Sequence, residues 1–159
     1  MIGIIHLINT EFSPYIKKYT SILDELQLEY EIVFWNRLNY EYTRKEFVVY
    51  NDYTPLETSK YKKALKFMRY RKFVNRILSQ KKYSKVIFLT TLTGFLVNTK
   101  NLKKYRGKFI FDIRDYTYEN NIFFRFFEKK IINYSRITTI SSPYFKNFYQ
   151  SSITYCPIT

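Results

Sequence analysis

Short apolar runs alternate along this chain with longer stretches in which apolar residues recur every three or four positions. Residues 2–9, IGIIHLIN, are almost continuously apolar, as expected of a strand buried on both faces. In residues 13–29, Ser13 can cap a helix and Pro14 suits its first turn, while Ile16, Tyr19, Ile22, Leu23 and Leu26 recur at helical spacing. Residues 30–35, YEIVFW, read as a second strand. Strand, helix and strand within about 35 residues is the rhythm of a parallel α/β unit. Residues 36–59 are less regular, with 46–52 as a third strand and Pro55 marking a turn. A long helix is predicted over 57–82, with Tyr61, Leu65, Met68, Phe73 and Ile77 as its buried stripe.

The second half repeats the rhythm. Strands are predicted at 84–91, 108–115, 136–142 and 152–157. Between them fall a helix or helical turn at 92–106 capped by Gly107, a helix at 120–135, and a short helix at 142–150 opened by Ser142 and Pro143. No linker, internal repeat or low-complexity tract interrupts the chain. The expected fold is a single α/β domain over 1–159, Rossmann-like and doubly wound, with six or seven mostly parallel strands flanked by helices.

Composition narrows the chemistry. The 159 residues suffice for one domain with a true core. The residues in excess, Ile, Lys, Asn, Tyr and Phe, share AT-rich codons, so genome composition explains part of the 21% aromatic content. The net charge of +14 favours an anionic partner. One cysteine, Cys156, and one histidine, His6, exclude an intrachain disulfide and a Cys/His zinc site, and point to a reducing compartment. The N-terminus lacks a signal-peptide pattern, and no stretch reaches the roughly 20 apolar residues of a membrane span. A cytoplasmic protein, free or held on a surface, is expected. Three scattered glycines cannot supply a dinucleotide fingerprint or a phosphate loop, so no bound cofactor is expected. No Ser-His-Asp triad is easily built, because His6 falls within the first predicted strand, where a core role fits it best.

In an open α/β sheet, ligands bind beyond the carboxyl ends of the strands. The groups following the predicted strands are Asn9, Thr10 and Glu11; Thr90, Thr91, Thr93 and Gly94; Asp112, Arg114 and Asp115; and Ser141 and Ser142. They either converge on one cleft or only cap helices and line solvated loops. Asp112 and Arg114, two apart, share one face of an extended strand and can form a fixed structural pair, the alternative to a part for this loop in chemistry. The opposite strand ends begin with Lys85, Lys108 and Arg136, a plain solvated rim.

Eleven Lys or Arg and no acid occupy residues 60–85, with aromatics interleaved. Lys62, Lys63, Lys66, Arg69, Arg71, Lys72 and Arg76 make this basic helix a candidate membrane-surface element, a solvated face or a nucleic-acid contact. No helix-turn-helix, RRM or OB pattern supports the last. Residues 121–132, NIFFRFFEKKII, could add apolar contact but read first as core. A phosphoacceptor of response-regulator type would need paired acids after the first strand, which Asn9-Thr10-Glu11 does not supply.

KFIFDIRDYTYE followed by FFEKKIINYSRITTISSPYFKNF resembles the second half of the N-terminal domain of GT-B glycosyltransferases of the group-1 type. The opening GIIHLIN is similar to that family's first strand, and the order of elements agrees across most of 1–157. The chain departs where many members have a Gly-Gly pair, here NTEFSPYI, and where many have a histidine, here Asp112 to Asp115. The resemblance implies an acceptor-binding half, with Asn9, Thr10, Glu11, Thr91, Thr93, Ser141 and Ser142 contacting a saccharide or lipid-linked acceptor. Asp112 or Asp115 would orient or deprotonate the acceptor hydroxyl, and Arg114 would hold the loop or meet donor phosphate. The nucleotide-diphosphate sugar would bind a separate C-terminal domain that these residues do not include. An anionic membrane surface, at the inner face of the cell membrane, is the further partner implied, in the synthesis of bacterial surface polysaccharide. The rival class is a basic nucleic-acid-binding α/β protein without catalytic activity.

Overall fold

The computed structural model describes residues 1–55, 57–114, 121–142 and the backbone of 153–155. Among them, seven strands form one all-parallel sheet in the order β3-β2-β1-β4-β5-β6-β7. The strands are β1 (Ile2–Ile5), β2 (Tyr30–Asn36), β3 (Phe47–Asn51), β4 (Lys85–Leu89), β5 (Phe109–Ile113), β6 (Ile137–Ile140) and β7 (Ile153–Tyr155). The helices are α1 (Pro14–Glu25), α2 (Lys60–Gln80), α3 (Thr91–Leu96), α4 (Thr99–Lys104) and α5 (Ile122–Tyr134). This is the doubly wound Rossmann-like arrangement, and the apolar runs mark its strands because the sheet is covered on both faces.

Side chains alternate between two layers, as strand geometry requires. On one face Ile4, Ile32, Phe34, Ile87 and Leu89 pack with Ile16 and Leu23 of α1. On the other, Ile5, Val33, Trp35, Val86, Phe88, Phe109 and Phe111 pack with residues of α2, α3, α4 and α5. The single predicted helix over 92–106 is two helices. Asn98 starts the second by accepting a hydrogen bond from the Asn101 amide at 2.8 Å, and its own amide donates to Asn75 Oδ1. Gly107 follows α4 with φ +68°, the left-handed conformation expected of a glycine beyond a helix end.

Three sequence expectations are corrected. The stripe assigned to α2 is buried only toward its C-terminal half: Tyr70, Val74, Ile77 and Leu78 are buried, while Tyr61, Leu65 and Met68 are exposed. The reason is length. A helix of 21 residues is about 32 Å long, whereas five-residue strands span about 17 Å, so the first turns of α2 overhang the sheet. The apolar start of α5 is not core: Ile122, Phe123, Phe126 and Phe127 are 50–76% exposed. Ser13 precedes α1 but does not cap it with its side chain, which turns instead to His6. The short helix expected at 142–150 lies outside the described residues beyond Ser142.

Candidate functional site

The chain passes from β1 to β2 on one side, while β4 pairs with β1 on the other, so the winding direction reverses between β1 and β4. The carboxyl ends of these strands are where such sheets hold ligands. His6 follows β1 directly and is 1% exposed. Its Nε2 shares a hydrogen bond with Ser13 Oγ, and its ring meets Tyr15 edge-on at 6.3 Å. Tyr15 in turn lies under the Arg114 guanidinium, 4.8 Å from ring centroid to Cζ.

Arg114 stands just past β5, and strand alternation puts it on the same face as Asp112. Its Nε and Nη2 both donate to Asp112 Oδ2 at 2.8 Å. Asp112 Oδ1 accepts from Thr139 Oγ1 of β6, also at 2.8 Å. The side chains of Asp112 and Arg114 are 1% and 6% exposed, so the carboxylate is buried and only the guanidinium edge nears the surface. The extended-strand pairing expected from their spacing is what the structure contains, and it corrects the part expected of Asp112: buried, with Arg114 on one oxygen and Thr139 on the other, it is not placed to take a proton from an acceptor hydroxyl. A buried ion pair of this kind costs desolvation, and it holds because both carboxylate oxygens are satisfied.

Protonation follows from the same burial. Removal from water lowers the His6 imidazole to about 4, with the nearby Leu89 backbone opposing in part, so it is neutral near pH 7. Burial, with the negative charge of Asp112 next, pushes the Tyr19 hydroxyl up to about 12. For Arg114 burial acts against the charge, but the charge and hydrogen bonds of Asp112 outweigh it, and the guanidinium is held protonated more firmly than usual.

Four buried side-chain atoms of the described residues have no hydrogen-bond partner: His6 Nδ1, Arg37 Nε, Thr91 Oγ1 and Arg114 Nη1. All four belong to residues that follow the carboxyl end of a strand: β1, β2, β4 and β5 respectively. Buried polar atoms are nearly always satisfied in folded proteins. Their place along one edge of the sheet makes it the candidate for a polar ligand site.

The backbone adds a second sign. Thr90, between β4 and α3, has φ +76° and ψ 152°, a region almost closed to β-branched residues. The turn is held by the Thr90 amide on the Asp112 carbonyl at 2.9 Å and by the Thr90 and Thr93 hydroxyls at 3.2 Å. Strain of this kind persists where the surroundings fix it, and it gathers at functional sites.

The other sequence candidates divide. Thr91 joins the edge with a free hydroxyl, whereas Thr93 is fully buried under the turn. Ser141 donates to the Arg114 carbonyl at 3.1 Å, steadying the strand end. Ser142 is half-buried beside it. Asn9 is a structural clamp: its amide donates to Asn36 Oδ1 at 2.8 Å and the Tyr42 hydroxyl at 2.9 Å, and accepts from the Arg37 amide. Thr10 and Glu11 line a different hollow, about 910 Å³, between α1 and the connection after β2. Asp115 lies outside the described residues. In α2, Lys66 is paired with Asp52 at 2.5 Å and Arg71 Nε donates to the Leu96 carbonyl at 3.2 Å, while Lys62, Arg69, Lys72 and Arg76 are exposed and Lys63 is half-buried.

Sequence reasoning missed His6, Tyr15, Tyr19 and Thr139 as parts of this cluster. Only the position of His6 after an apolar run could have signalled it, and that run was read as strand through Asn9. Among the described residues no group of His, Cys, Asp and Glu could hold a metal ion. Comparison with known protein families and with curated proteins finds no match for this chain.

Proposed function

We propose that this chain is the acceptor-binding half of a GT-B-type glycosyltransferase, which transfers sugar from a nucleotide-diphosphate donor to a saccharide or lipid-linked acceptor. The observation that carries the reading is the buried Asp112–Arg114 pair beside the β1/β4 reversal, with Arg114 Nη1 and His6 Nδ1 left without partners. In this reading Arg114 presents a fixed cationic donor to a substrate oxygen or phosphate, and Asp112 holds its orientation. His6, neutral at physiological pH, lies buried beneath this edge, where its ring reports on an acceptor bound above it. Asp115 keeps its proposed part in orienting or deprotonating the acceptor on sequence grounds alone. The donor nucleotide belongs to a second domain or subunit, and the three glycines, none in a phosphate loop, accord with that. Attachment to an acidic membrane face through the exposed cations of α2 belongs to the same reading.

Calorimetric titration of the chain with UDP-, GDP- and CMP-sugars, with donor hydrolysis scored in the same samples, tests this. The expected result is binding no tighter than millimolar and no hydrolysis. Micromolar binding, or turnover by this chain alone, would place the donor site within these residues and overturn the two-domain reading.

A further inference from the structure

Among the described residues, nothing packs over the outer face of the first half of α5. Ile122, Phe123, Phe126 and Phe127 are 76%, 75%, 70% and 50% exposed. At spacings of four they form two adjacent stripes, 122/126 and 123/127, on one side of the helix. Phe124 faces inward and stacks on Phe95 at 4.1 Å, so the helix is anchored while its aromatic side stays outside. The 122/126 stripe runs on to Lys130 one turn further, with Lys129 beside it, the 123/127 stripe runs on to the buried Ile131, and the helix's only acid, Glu128, is buried. Beside Phe127 a hollow of about 240 Å³ runs between α2 and α5, floored by Phe95 and Ile131 and flanked by Arg71 and Lys130.

We propose that the N-terminal half of α5 inserts its aromatic face into the headgroup layer of an anionic membrane. The order of side chains along the axis fits this occupant: aromatics lead, and lysines follow at the depth where their ammonium groups reach lipid phosphates. Arg125 and Lys129, exposed, and Lys130, half-buried, bring positive charge beside the aromatic face while the helix's one acid is buried, which matches anionic lipid headgroups. No helix of the described residues is long and apolar enough to cross a membrane, so the contact is interfacial. α5 begins at the edge of the sheet where β5 ends, which brings lipid-borne molecules near Arg114. The inference deepens the membrane part of the reading above and is independent of the transfer reaction.

Co-sedimentation with vesicles of phosphatidylcholine plus phosphatidylglycerol tests it, with the chain, Phe123→Ser/Phe126→Ser, and Lys62→Glu/Arg69→Glu/Lys72→Glu compared. All five positions are exposed, so folding is kept. Each Phe→Ser change should weaken partition by about tenfold. A Phe126→Trp chain should be quenched by brominated lipid, with the buried Trp35 as a constant background. Unchanged binding of the double Phe variant, or an unquenched new indole, overturns the inference. Loss of binding only in the α2 variant would also overturn it, while leaving attachment through α2 intact. Vesicle binding absent in the parent chain, with self-association abolished by the Phe changes, would make a second copy the occupant instead.

Discussion

At the scale of single residues, burial decides which groups can act and in which protonation state. His6 ionises near 6.5 when exposed and at about 4 in the fold. Its folded value is depressed, so the unfolded chain binds the proton first, and stability falls as pH drops through the window from 6.5 toward 4. Between pH 7 and 5.5, urea unfolding should show a loss of about 1 kcal/mol. That loss should vanish in His6→Gln; an equal slope in both proteins would remove the buried neutral imidazole from the account. The Asp112–Arg114 pair was legible in the sequence because spacing by two on a strand fixes a shared face. The partners from α1 and β6 were not, since Tyr15, Tyr19 and Thr139 meet that pair only through the tertiary packing of elements far apart in sequence.

At the scale of elements, apolar runs located the described strands, and for β1, β2, β4, β5 and β6 the reason is burial on both faces of the sheet. Helix limits and faces were harder to read. Period alone cannot tell that α2 is longer than the sheet it lies on, or that the aromatic start of α5 is exposed. Close packing is also invisible in a one-letter string. A Cβ built on Gly94 would come within 2.6 Å of the Phe111 ring, which is wholly buried, so α3 approaches β5 only because residue 94 lacks a side chain. Gly94→Ala should cost about 1–3 kcal/mol by overpacking. Urea denaturation checks this, and an unchanged midpoint would mean that the α3–β5 contact yields freely. The same contact supports the Thr90 turn, so the variant should also disturb the ligand edge.

At the scale of the whole molecule, the strand order sets the site. Reversal of winding between β1 and β4 opens an edge to which β1, β2, β4 and β5 each deliver one unsatisfied polar atom. The sequence indicated this edge through the polar residues after each strand, but not which of them keep a free atom, because that depends on partners such as Asn36 and Tyr42, which occupy Asn9. The central claim is that this edge receives a saccharide acceptor rather than a nucleotide. His6 is the chain's only histidine, so its imidazole gives one unambiguous pair of nitrogen signals at the site. The measurement is ¹⁵N NMR of that imidazole while neutral and phosphorylated saccharides, and separately nucleotide sugars, are added. A saccharide should move the His6 signals in a saturable way, and nucleotide sugars should not. A His6 signal moved by nucleotide sugars at micromolar concentration, or unmoved by every saccharide, would contradict it.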